Sequence, residues 1–211
     1  MFTIALLLLL VIFILVAVSK FNLHPFLALI IAGIMMGLLS GLDSSLVIKG
    51  LTEGFGGILI GIGIVIAFGT IIGAFLEKSG GARSIANYVL SKIGDKNSLL
   101  AMSITGFIVS IPVFCDSGFV ILASLNKAIA KKTGISLVTL AVALSTGLYA
   151  THVFVPPTPG PLAAAATLNA DIGLVILLGL LVAIPAALVG LFWAKYYCKD
   201  LIVDFESVPE I

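Results

Sequence analysis

Charge is what this sequence has least of. Only 10% of its 211 residues are Asp, Glu, Lys or Arg, 61% are hydrophobic, and the mean hydropathy is +1.29. So few charges cannot cover a water-exposed surface, which excludes an ordinary soluble domain and makes lipid the main solvent. Cysteine is scarce too: Cys115 and Cys198 stand in unlike surroundings and give neither a disulfide framework nor a metal-ligand spacing. No metal and no cofactor are expected. Basic patches interleaved with aromatics are missing, so nucleic-acid binding has no support. The first stretch, MFTIALLLLLVIFILVAVSK, lacks the positive start of a secretory leader and is apolar for long enough to span. It reads as a retained helix.

What is present is a series of apolar runs. Together they predict an all-α polytopic membrane protein in a single membrane domain, 1–211. Residues 2–42 hold the first two helices, the second entered through His24 and Pro25; proline is well tolerated in a first helical turn. A loop from Asp43 to Glu53 leads to a glycine-rich helix over 55–75, in which Gly57 with Gly61 and Gly69 with Gly73 have the spacing that lets helices approach closely in lipid. The polar stretch Glu77 to Asn97 predicts a short interfacial helix. Two interrupted apolar runs follow, 98–125 and 137–168, then a last helix over 172–194. The tail to Ile211 is mixed in charge and carries no further span.

Lysine placement arranges these runs across the membrane. A cytoplasmic Lys20 puts Lys78, Arg83, Lys92 and Lys96 on the same side. Lys127, Lys131 and Lys132 join them only if 98–125 is a re-entrant hairpin and not a crossing. All eleven basic residues except Lys49 then face the cytoplasm, with the N-terminus outside and the C-terminus of this segment inside. That makes about five crossings and one hairpin, an odd count that on duplication gives an inverted second copy, the construction of many secondary transporters. No second copy occurs in the sequence, which is expected to be one repeat needing another.

The two interruptions carry the chemistry. IPVFCDSG, from Ile111 to Gly118, contains Asp116, the only charge in its run, four residues after helix-breaking Pro112. An acid at membrane depth is a functional-site hypothesis by default. Asp116 reads as a proton carrier, a ligand for a coupling cation, or a hydrogen-bonded hairpin tip. The second break, THVFVPPTPGP, offers Thr151, His152, Pro156, Pro157, Thr158, Pro159 and Gly160. Irregular backbone at that depth persists only where protein or a watery cavity satisfies it. The amides of Ser117 and Gly118, and those opening the helix from Leu162, are expected to attract an anion. Pro112, Cys115, Asp116, Ser117 and Gly118 would form one wall of a substrate site, with Thr151, His152 and Pro156 to Gly160 opposite. Asp116 and His152 are the candidates for the proton; a packing histidine and a buried, unreactive Cys115 are the structural alternatives.

With FNLHPFLALIIAG, the glycine-rich third segment, IPVFCDSGFVIL and VPPTPGPLAAAATLNADIG, nearly the whole chain resembles the N-terminal half of a gluconate permease (GntP) family transporter. The resemblance implies a bacterial or archaeal cytoplasmic (inner) membrane protein. It also implies proton-coupled import of a small organic acid anion such as gluconate or a related sugar acid. A dimeric, elevator-type carrier with a second repeat is implied as well. The residues leave two other readings open, a Na+-coupled carrier and a non-transporting structural or regulatory membrane subunit. An intramembrane enzyme is disfavoured, because Asp116 has no second intramembrane acid to form a dyad.

Overall fold

A computed structural model describes residues 2–201. Its helices are α1 (Phe2–Ser19), α2 (Pro25–Leu39), α3 (Ser44–Lys78), α4 (Gly81–Ile93), α5 (Ser98–Val109), α6 (Cys115–Thr133), α7 (Leu137–Phe154), α8 (Pro159–Thr167) and α9 (Ile172–Tyr197). No strand occurs among the described residues. The chain divides into two compact units, Met1–Gly61 and Ile62–Ile211.

In the first unit Leu6 and Leu10 of α1 pack on Ala32 of α2, flanked by Phe13, Ile14, Met35 and Met36. His24 is more than an interfacial residue: its Nδ1 accepts from the Phe26 amide at 3.3 Å, capping α2, with Pro25 in the first turn. The expected loop from Asp43 to Glu53 is mostly helix. Asp43 supplies the reason, since its Oδ2 accepts from the Ser45 amide at 3.0 Å and the Ser45 hydroxyl at 2.6 Å, while its carbonyl takes the Val47 amide. This N-cap satisfies donors that a helix start otherwise leaves open. Helix α3 therefore begins eleven residues before Phe55. A side chain at Gly37 would stand 2.5 Å from Val47 Cγ2, so the α2–α3 pairing depends on that glycine.

The second unit has its core among α4, α5, α6 and α7, where Met102, Val109, Leu122, Leu140, Leu144 and Leu148 are almost fully buried. Helix α4 contributes Ala82, Ala86 and Val89 and turns Tyr88 outward. The α5–α7 crossing is backbone on backbone. A Cβ at Gly106 would meet the Leu144 carbonyl oxygen at 2.5 Å, and one at Gly147 would overlap the Ser103 carbonyl. A smaller cluster, Ala150, Val155, Ala183 and Ala187, joins α7 to α9. Thr139 Oγ1 donates to the Cys198 carbonyl at 2.9 Å and the Ser136 hydroxyl to that of Leu201, holding the last helix to the start of α7. Asp171 caps α9 by accepting from the Leu174 amide at 2.9 Å.

Among the described residues, four stretches are long and apolar enough to cross a membrane: α1, α3, the α7–α8 run Leu137–Thr167, and α9. Large apolar side chains cover their outer faces, among them Leu8, Ile60, Ile64, Phe68, Leu181 and Val189. Helix α5, with 12 residues, reaches only about 18 Å and falls short of a hydrocarbon core of about 30 Å. The protein is all-α and polytopic. Helix α9 runs to Tyr197, three residues beyond the expected Ala194, and the expectation of no further span from residue 202 onward lies outside the described residues.

Candidate functional site

Both apolar runs break where the prolines stand. Between α5 and α6 the chain turns through Ser110 to Phe114. Between α7 and α8 it turns through Val155 to Thr158, with Pro159 opening α8. Pro112 lacks an N–H, and the Pro156-Pro157 pair followed by Pro159 and Pro161 cannot continue a helix already under way. The Val155 amide closes the last turn of α7 on the Thr151 carbonyl at 2.8 Å, and the Thr158 hydroxyl donates to the Val155 carbonyl at the same distance.

The two breaks share one cleft. Its walls are Ile111 to Phe114 from the first, Pro157 to Pro159 from the second, and Ile66, Gly69 and Thr70 from α3. The α3 contacts are close. A Cβ on Gly73 would lie 2.5 Å from the Pro112 carbonyl oxygen, and one on Gly69 would lie 3.1 Å from Pro157 Cβ. The expected tight spacing of Gly69 and Gly73 therefore meets the breaks themselves, whereas nothing lies within 4 Å of a Cβ at Gly57. Helix α9 treats the second break in the same way, Gly179 lying against the Phe154 carbonyl. The cleft holds about 10 Å3, room for a single water. A small-molecule site is larger by more than an order of magnitude.

Phe114 links this cleft to a polar cluster. Its ring meets His152 edge-on at 5.9 Å, and His152 meets Tyr149 edge-on at 6.5 Å. The Tyr149 hydroxyl donates to Asp116 Oδ1 at 3.4 Å, and Cys115 Sγ lies 3.7 Å from the same oxygen. Asp116 is exposed in the first turn of α6, where a carboxylate suits the positive end of the helix dipole. Cys115 is buried, with its thiol directed at the acid. His152 is half-buried, and its Nδ1 is fully enclosed without a hydrogen-bond partner among the described residues.

Several expected roles change. Thr151 does not line the cleft: it is fully buried, and its hydroxyl donates to the Phe107 carbonyl at 2.9 Å, tying α7 to α5. The Gly118 amide is already bonded to the Phe114 carbonyl at 2.8 Å, so only the turn before it, through Ser117, keeps donors without helical partners. Gly118 itself is packing: a Cβ there would meet Leu148 Cδ2 at 2.9 Å. Helix α8 starts at Pro159 and not at Leu162, whose amide turns back to the Thr158 carbonyl at 3.4 Å. Since Pro159 and Pro161 have no N–H, Gly160 is the one backbone donor left in that turn. Pro156 is buried and Pro157 half-buried, while Pro159 and Gly160 are exposed. Tyr149 and Phe114 were missed from sequence. The signal for Tyr149 was its place three residues before His152, on the same helical face.

The chain matches the model of the GntP family permeases over residues 2–210. It is 41% identical to a gluconate permease of Pseudomonas aeruginosa over 83% of its own length and 39% of the relative's. It is 40% identical to an inner membrane permease of Escherichia coli K12, covering 90% of itself and 42% of the relative. A D-serine transporter of the same organism is 39% identical over 85% of this chain and 40% of its own. The chain thus spans about two fifths of the length of these relatives. No solved structure matches it significantly. A polytopic, all-helical chain of this pattern, matched from end to end by one permease family, belongs to the GntP permeases.

Proposed function

We propose that this chain forms one repeat of a secondary active transporter. It imports a small hydroxylated organic acid anion, gluconate or a related sugar acid, across the bacterial inner membrane by proton symport. The observation that carries the reading is the convergence of both breaks on one cleft whose wall, Phe114, continues into the Asp116–Tyr149–His152 cluster. Hydroxyl and imidazole groups there suit the hydroxyls and carboxylate of such an acid, and an ionisable carboxylate at the same place suits coupling to a cation. Relatives named for gluconate and D-serine transport support the substrate class.

A cleft of about 10 Å3 cannot take a sugar acid. We therefore assign the opposite wall to a second, inverted repeat, in keeping with the greater length of the relatives, and an elevator-type displacement of the broken helices within a homodimer. The 98–125 segment is taken as a re-entrant hairpin, with the N-terminus outside and the C-terminal end of this segment cytoplasmic, because that arrangement gathers the basic residues on one side.

The test is uptake of radiolabelled gluconate into proteoliposomes under an inward proton gradient. The chain is reconstituted alone and together with a polypeptide covering the remaining length of the relatives. Uptake only in the second sample, collapsing with a protonophore, is the expected result. Uptake driven by a sodium gradient alone would replace the proton. Failure to move any small hydroxy acid with both parts inserted would remove the transport reading in favour of a structural or regulatory subunit.

A further inference from the structure

On the reading of the chain as part of a proton-coupled anion carrier, we infer that the coupling proton belongs to Asp116 alone, and that His152 serves as a permanently neutral donor to the substrate through Nε2–H. Imidazolium carries N–H on both ring nitrogens. Nδ1 of His152 has no accessible surface and no hydrogen-bond partner among the described residues, with the Phe114 and Tyr149 rings edge-on to the imidazole. A proton there would be a buried, unpaired donor on a charged ring, one of the least favourable arrangements in a protein interior. With the proton on Nε2, Nδ1 keeps only a lone pair, and the unmet bond is an acceptor's. Since nothing from outside can reach Nδ1, Nε2 is also the only ring nitrogen available to a ligand.

The groups that face the imidazole come from α6 and α7. Asp116, from α6, favours a positive ring by its charge, yet no ion pair joins it to His152 among the described residues. Its Oδ1 takes the Tyr149 hydroxyl from α7, with the Cys115 thiol alongside. Tyr149 is thereby a positioning residue for the carboxylate. Asp116 is exposed, so entering water reaches its carboxyl group. While it is ionised, it repels an incoming carboxylate at close range; protonation removes that like charge and lets proton and anion bind together. His152 offers the same donor in both states.

The deciding experiment has two arms. In vesicles holding both repeats, H152Q keeps a side-chain donor near the Nε2 position, and H152N does not reach it. H152Q is expected to retain proton-driven uptake with an unchanged proton-to-gluconate ratio and a KM raised about three- to tenfold, H152N being worse. D116N is expected to lose the response to a proton gradient while still exchanging gluconate across the membrane. A coupling ratio lost in H152Q and kept in D116N overturns the assignment. The second arm needs no transport: nitrogen-15 solid-state NMR of histidine-labelled protein in lipid. There are only two histidines, and an H24Q variant identifies the other. The neutral Nε2–H tautomer is expected for His152 throughout the pH range in which uptake is assayed. An imidazolium signal in that range refutes the inference whether or not gluconate is moved. Absent uptake by the unmutated protein would instead strike the functional reading, while the tautomer seen by NMR would still decide the state of His152.

Discussion

Replacing Gly73 with alanine tests the α3 contact most directly. The new methyl would sit 2.5 Å from the Pro112 carbonyl oxygen, 3.6 Å from its carbon and 3.7 Å from Val113 Cα, all backbone atoms that cannot rotate aside. Overpacking of this kind costs about 1–3 kcal/mol. Against it stands the better helix propensity of alanine, worth about 1 kcal/mol. Gly57, on the same helix, has nothing within 4 Å of a Cβ, so G57A receives only the favourable part. The two variants should differ by about 2 kcal/mol, or roughly 4–8 °C in melting temperature for a chain of this size. G69A should fall between them, because its nearest neighbour is the Pro157 side chain at 3.1 Å. A thiol-reactive fluorophore suits the assay in detergent, since Cys115 and Cys198 are both buried and react only as the fold opens. If G73A melts together with G57A, the close seating of α3 on the first break is wrong.

Other substitutions probe single bonds. T151V keeps the shape but leaves the Phe107 carbonyl without its donor, a loss of about 1–3 kcal/mol, while T151S should retain most of the stability; the same thermal assay separates them. D171A removes the cap on α9 and should cost about 1 kcal/mol, seen as faster amide exchange at Leu174. Asp43 is held below the ordinary carboxylate range, first by the Ser45 hydroxyl and then by the Ser45 amide. A depressed acid contributes stability that is present above its unfolded pKa and lost as pH falls through the folded one. The first turn of α3 should therefore exchange faster below the usual carboxylate range, and D43N should flatten that dependence.

Much of this architecture was legible because proline and charge are so sparse. Pro112 and the 156–161 prolines located both breaks, and the apolar runs located the long helices, since each rests on local chemistry. The start of α3 was not legible: Lys49 and Glu53 looked like loop residues, and only the Asp43–Ser45 cap and the fit of Val47 against Gly37 show why the helix extends over them. Asp116 and His152 stood out as rare polar groups in apolar runs. Their link through Tyr149 did not, because a tyrosine in an apolar run is commonplace and the contact joins residues 33 apart. Thr151 misled for a similar reason. A hydroxyl beside a break suggests a ligand, but a carbonyl 44 residues away already holds it.

The glycine seats on the two breaks also bear on the order in which the chain can be assembled. Gly73 precedes the break whose carbonyl it covers, so α3 is already made when Pro112 emerges. Gly179 follows its break, and the end of α7 at Phe154 waits for a helix not yet synthesised. Lipid supplies no hydrogen bonds to irregular backbone. During insertion the first break finds its α3 partner already made, whereas the second has no α9 partner until Gly179 has been synthesised.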